Sequence, residues 1–358
     1  MSFFFNKLMN MFNTKMTTEI NNKNDVISNE CPNPDIGVLM YDGSIKNISE
    51  IKIGDLLMGD DSGERKVLST SSKSSKLQKK ELLYKITCGD SSYIVNSSYK
   101  LSLYIRKYIF SHPYISGGGE IEYLDTTKLK CIKKKFNSLK SMNEFVNAHM
   151  KNEYEIINIK ISDFIKLEPN FKMHLFMYRS GVEFSEVELE RNPYEYGFNV
   201  IGRLISENDE ENNQENFNAG ILSKYKINSS TNRLKLLAGI IDSQKINIHS
   251  PKIKINIRNK ILQNDILFLS RSLGFETLLN KTNNYIEINF EKKQKNNNTI
   301  NDLFELYEKN KLNIVSEEII VEKLETSPYN KFEIDKNKHF VLENFIVMND
   351  FVKPECLK

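Results

Sequence analysis

Residues 31–69, CPNPDIGVLMYDGSIKNISEIKIGDLLMGDDSGERKVLS, decide the fold. Short alternating apolar runs are separated by turn dipeptides. Asp42-Gly43 sits where a two-residue turn closes a hairpin, and Gly54-Asp55, Gly59-Asp60 and Ser62-Gly63 mark further turns. Glycine accepts positive φ and aspartate bonds its own backbone, so these pairs predict repeated chain reversals and an all-β start.

The pattern continues in LLYKITCGDSSYIVNSSYKLSLY (82–104), which predicts two strands about Gly89-Asp90, after a solvated loop at 69–80. Gly117 to Gly119 predicts a hairpin apex and not a phosphate cradle, because no helix with a Lys-Ser/Thr start follows. Residues of about 140–180 read as partly helical, with Phe145, His149, Phe164 and Leu167 on periodic faces. His149 and His174 are isolated, as surface or packed histidines are. Farther on, LKLLAGIIDSQ (234–244) predicts a buried helix, and KINIHSPKIKINI (245–257) two strands around Ser250-Pro251. NKILQNDILFLSRSLGF (259–275) predicts an amphipathic helix stopped by Gly274, and NYIEINFE (284–291) a strand. The polar run 292–301 breaks the pattern, and β alternation returns at 317–325 and 330–350.

A chain of 358 residues, 39% hydrophobic and 27% charged, has room for two cores and excludes collagen-like, coiled-coil and fully disordered classes. No apolar run approaches the roughly 18 residues that span a bilayer. The opening MSFFFNKLMNMF is a short amphipathic patch with no cleavable apolar core, so neither membrane insertion nor secretion is expected. Cys31, Cys88, Cys131 and Cys356 lack C-x-x-C spacing, which argues against a disulfide scaffold or a zinc ribbon and for a reducing compartment. Residues 1–30 read as a lead-in whose Phe4, Leu8 and Met11 share a face, either packed on the body or docking a partner. The net charge of +3 conceals asymmetry: Gly181 to Glu215 carries ten acids to two bases, and Ser223 to Lys295 fourteen bases to five acids. Mutual neutralisation and a nucleic-acid surface are both open.

These pieces resemble an intein: a Hint splicing domain interrupted by a LAGLIDADG homing-endonuclease domain. The first splicing block resembles residues 31–69, with Cys31, the Asp42-Gly43 turn, the run Ile51 to Asp61 and Arg65-x-Val67. YIVNSSYKLSL (93–103) is similar to the second block and NKFEIDKNKHFVLENFIVMN (330–349) to the last two. Between them, NPYEYGFNVIG (192–202) and LLAGIIDSQ (236–244) resemble the two endonuclease motifs, and LSRSLGF (269–275) a further family phrase. The order is correct over about 31–349, and the likeness is greatest to inteins of large DNA viruses. The implied fold class is α+β, a β-rich Hint (intein) fold with an inserted, partly truncated LAGLIDADG-type α+β domain. The implied layout is an extension at 1–30, Hint segments at 31–180 and 312–349, an insert at 181–311 and a tail at 350–358.

The resemblance also shows what chemistry is missing. In the family the first residue attacks the preceding carbonyl, assisted by a histidine in the second block. Cys31 supplies the thiol, but the histidine position is Tyr99, a phenol with an ordinary pKa of about 10. The acyl acceptor after the intein needs a thiol or hydroxyl and is Asp350. The final Asn349 is present, but its assisting histidine is Met348. His339 lies one place past the usual histidine slot, occupied by Lys338. Cys31 and Asn349 are therefore vestigial and Tyr99, Met348 and Asp350 lost positions, so no splicing is expected. Slow cleavage at Cys31 or Asn349 would lack the acid or base worth about 10² to 10⁴ in rate.

In the family each endonuclease motif ends in a carboxylate that holds divalent metal. The equivalent positions are Gln244, followed by Lys245, and Gly202, followed by Arg203. Asp242 corresponds to a helix-end residue and not to the ligand. Glu207, Asp209, Glu210 and Glu211 are weak substitutes in a polar run. Only 42 positions separate Gly197 from Gly239, whereas half of such an endonuclease needs roughly 70 or more residues. No metal, cofactor or small-molecule substrate is expected, nor enzyme activity. The expectation is a splicing-dead and nuclease-dead scaffold used as a structural or interaction protein of a large DNA virus. Protein partners would contact residues 1–12 or the tail, and the site of action would be the cytoplasm, a viral factory or the virion. The alternatives are a non-cleaving DNA-binding protein using Lys252, Lys254, Arg258, Lys260 and Arg271, and residual self-cleavage or homing-endonuclease activity.

Overall fold

Turn chemistry organises the first strands of the computed structural model as the sequence predicts. The structure describes residues 36–70, 81–106, 108–149, 154–206, 220–244, 252–280, 282–289, 299–309, 312–315, 317–327 and 331–350. Gly43, at φ +84°, turns the chain between β1 (Gly37–Leu39) and β2 (Ile45–Asn47), and its N–H donates to Met40 O at 2.9 Å. Gly54 and Ser62, both at positive φ, flank β3 (Leu56–Met58) and precede β4 (Glu64–Thr70). Gly89 closes the hairpin of β5 (Glu81–Cys88) and β6 (Ser91–Asn96). After β7 (Lys100–Arg106), the chain forms β8 (Tyr108–Pro113), β9 (Gly119–Asp125) and β10 (Lys130–Phe136) as one antiparallel sheet, with Gly117 and Gly118 at its apex as expected.

Residues 140–180 are helical in part, as expected. Helix α1 (Leu139–His149) and two single turns, α2 (Ile161–Phe164) and α3 (Pro169–Lys172), account for the helix there. The rest is β11 (Tyr154–Lys160) and β12 (Leu175–Ser180), both paired antiparallel to β7. The run EIINIK is rich in β-branched residues, and a partner strand with a buried face overrides the weak helical periodicity.

A second core follows. Helices α4 (Pro193–Ser206), α5 (Ser223–Lys226) and α6 (Ser230–Ser243) precede β13 (Lys252–Asn256), α7 (Lys260–Ser272), β14 (Glu276–Asn280), β15 (Tyr285–Asn289) and α8 (Thr299–Lys309). The Asn259 side chain caps α7 by accepting from Ile261 N and Leu262 N, and Gly274 at φ +80° ends it. Strands β13, β15 and β14 form one sheet whose Ile253, Ile255, Ile286 and Ile288 pack on Leu234, Leu237, Ile241 and Leu269. Strand β14 and helix α8 were not foreseen. The strand expected at 245–250 lies outside the described residues.

The chain then returns to its beginning. β16 (Leu312–Val315) pairs with β12, β17 (Ile320–Ser327) with β5, and β18 (Phe332–Ile334) with β4. β19 (His339–Val341) and β20 (Val347–Asn349) pair with each other, and bridges join Val38 to Leu342 and Arg179 to Ile346. One apolar core therefore draws on Val38 to Met177 and again on Val315 to Met348, enclosing the second core in sequence. A third cluster joins the two: Phe268 of α7 stacks on Phe184 at 6.3 Å and meets Phe345 edge-on at 5.0 Å. Beside it the Asp90 carboxylate accepts from Arg179 at 3.0 Å and from Arg271 at 2.6 Å. Burial alone would raise this carboxyl, but the two guanidinium charges outweigh it and hold Asp90 below the ordinary aspartate value. Among the described residues no helix is long and apolar enough to cross a membrane.

Candidate functional site

Strand β20 carries the last of the expected splicing residues into the interior, beside β7 and β12. Asn349 is 8% exposed, Met348 1% and Asp350 2%. Tyr99, at the turn before β7, is 3% exposed, and its phenol oxygen accepts the Asn349 backbone N–H at 3.0 Å. The Asn349 side-chain Nδ2 donates to Lys100 O and to Asn158 Oδ1, both at 2.9 Å. The Asp350 N–H donates to Lys338 O at 2.8 Å, while its carboxylate accepts from Ile334 N at 3.4 Å and lies 3.5 Å from Lys338 Nζ. The structure thus brings Tyr99, Met348, Asn349 and Asp350 together. Cys31 lies outside the described residues, as do residues 1–12 and 351–358.

The electrostatics follow from this burial. Desolvation pushes the Tyr99 phenol far above its ordinary value, with the nearby Asp350 acting in the same sense. Desolvation also raises the Asp350 carboxyl, against the pull of the Lys338 charge. In both groups burial favours the neutral form over the charged one. His339, the nearest histidine in sequence, is engaged elsewhere. Its Nδ1 lies 2.9 Å from Asp60 Oδ2, in a network where Asn337 bonds the same carboxylate and the buried Arg65 bonds Asp61 at 2.7 Å. Burial would raise Asp60, yet the bonds from His339 and Asn337, with the charges of His339 and Arg65, leave it below the ordinary value.

The second constellation is a helix pair. Helices α4 and α6 cross at Gly197 and Gly239, where the neighbouring carbonyls come close. A Cβ on Gly239 would lie 2.1 Å from Tyr194 O, and one on Gly197 2.3 Å from Leu236 O. Asp242 near the end of α6 accepts from Tyr194 Oη at 3.0 Å and Thr299 Oγ1 at 2.6 Å, so both its oxygens are used. Gln244 forms the C-cap of α6, and Gly202 lies within α4. Glu207, Asp209, Glu210 and Glu211 lie outside the described residues. Among the described residues no group of three or more His, Cys, Asp or Glu is arranged to hold a metal ion.

Among the candidate nucleic-acid contacts, Arg271 must be withdrawn. It is 4% exposed and donates to Asp90 and, at 3.0 Å, to Thr277 O, so it faces the interior. Lys252 and Lys254 lie on the outer face of β13 but share Glu287 at 2.9 and 3.8 Å, and Lys254 also lies over the Tyr285 ring at 4.8 Å. Arg258 and Lys260 are exposed. Two residues with clear structural roles were missed in the sequence. Asn158 lies on β11, a strand not read from the sequence, and Asp90 was legible only as a turn residue.

Residues 31–186 match the family described as Hom_end-associated Hint. No curated protein matches the chain. The family match, together with a strand-rich fold of several small sheets, supports an intein-type Hint domain in this stretch of the protein.

Proposed function

We propose that this chain is an intein-like protein in which a LAGLIDADG-type insertion and the splicing body persist without either chemistry, the folded scaffold serving as a structural or interaction protein. The reading rests most on the surroundings of Asn349. Its backbone N–H is spent on Tyr99 and its side-chain amide on Lys100 and Asn158, while the residue after it is a buried carboxylate held by Lys338. A carboxylate at Asp350 cannot take an acyl chain as a thiol or hydroxyl does, and Met348 can neither donate nor accept a proton usefully. The crossing of α4 and α6 at two glycines supports a LAGLIDADG-type pair, with Gln244 and Gly202 where metal-binding carboxylates stand in that family. Its partners would be proteins, met through residues 1–12 or the tail, with large DNA viruses the expected setting.

Intact-mass analysis of the full chain after prolonged incubation tests the reading. The expected result is the 41.7 kDa chain with no ligated product. A 39-residue ligated product, residues 1–30 joined to 350–358, overturns it.

A further inference from the structure

Cyclisation of an asparagine at a chain junction needs no partner molecule. The side-chain Nδ2 of Asn349 would attack its own carbonyl carbon, forming an N–C bond and breaking the bond to Asp350 N. The proton lost by Nδ2 would pass to the departing amine, leaving a cyclic imide on residue 349 and a fragment beginning at Asp350. Asn349 has kept this capacity in its covalent structure, so something must set how fast it occurs.

The amide assignment at Asn349 is fixed by chemistry. Lys100 O is a backbone carbonyl and only accepts, so the group 2.9 Å from it must be the NH₂. The second hydrogen then meets Asn158 Oδ1 at 2.9 Å. Both hydrogens of the would-be nucleophile face acceptors, and neither a carbonyl nor a carboxamide oxygen is basic enough to remove one. The leaving nitrogen of Asp350 also donates, to Lys338 O. Attack therefore requires the amide to abandon bonds that stabilise the resting side chain. One of the two acceptors is supplied by the main chain through the fold itself. The other belongs to a replaceable side chain, Asn158, at the register position opposite Ser102 on β11.

We infer that Asn158 is a positioning residue that restrains the Asn349 amide and so keeps the Asn349–Asp350 bond whole. This rests on the reading of the chain as splicing-dead. Asn158 is itself exposed, so truncating it leaves the core intact.

The test is intact-mass analysis of the full chain and of Asn158→Ala and Asn158→Leu over the same incubation, with Ile156→Ala, on the same strand, as a control. Loss of one ordinary hydrogen bond predicts release of the fragment beginning at Asp350 about 2- to 10-fold faster in both Asn158 variants. The remaining body should be one water lighter than the hydrolysis product, the mark of the imide. Ile156→Ala should match the unsubstituted chain. Equal rates in all four proteins overturn the assignment, as does equal acceleration by Ile156→Ala or a hydrolysed body without imide. Ligation by the unsubstituted chain would overturn the proposed function, whereas a silent chain with unresponsive Asn158 variants overturns only the role of Asn158.

Discussion

At the scale of single residues, Tyr99 acts as a buried structural acceptor. Its phenol oxygen satisfies the backbone N–H of Asn349 in a region that water does not reach. Tyr99→Phe leaves that donor without its partner and should cost about 1–3 kcal/mol, read from the urea midpoint at unchanged slope. Tyr99→His should yield no 39-residue product, because Asp350 still cannot accept the acyl chain; ligation in this variant would show that one histidine suffices. The sequence singled out Tyr99, Met348 and Asp350, and the structure places them together with Asn349. The sequence could not reveal the partner of Arg271, because Asp90 lies 181 positions away and a count of basic residues is blind to pairing.

At the scale of elements, the contact between α4 and α6 depends on two missing side chains. Gly239→Ala places a methyl group against the Tyr194 carbonyl, a backbone atom that can yield only if the helices separate. The expected cost is about 1–3 kcal/mol, visible as a lower melting temperature. A variant as stable as the parent would mean that the pair slides freely. Hairpins at Asp42-Gly43, Gly89-Asp90 and Gly117–Gly119 were legible because turn residues have local causes. Strands β11 and β12 were not, since the short alternation in EIINIK is decided by β7, a neighbour supplied by the fold. Helix α8 was missed for a different reason. Its spacing of Leu303, Leu306 and Tyr307 is regular, but its first turn, Thr299 to Asn301, is the end of the polar run 292–301.

At the scale of the whole molecule, Asp90 ties the two cores together by accepting from an arginine of each surrounding region. Asp90→Ala leaves two buried guanidinium groups without their shared carboxylate and should cost about 3 kcal/mol at neutral pH. The sign with pH follows from the depressed carboxyl. The contribution of Asp90 is fully present above the ordinary aspartate value and is lost as pH falls through its lower folded value, so the gap between parent and variant should close in acid. Chemical denaturation at neutral pH and near pH 3 would check this, and a gap that stays constant would assign the cost to packing alone. The meeting of early and late strands has a consequence for synthesis. Strands β4, β5 and β12 leave the ribosome with open edges, and their partners come much later; Lys331, for example, reaches Glu81 across 250 positions. The second core closes on nearby contacts and can condense in the meantime, while the first waits with exposed strand edges. Folding yield in the cell should therefore be set by how long those edges are protected from other chains during translation.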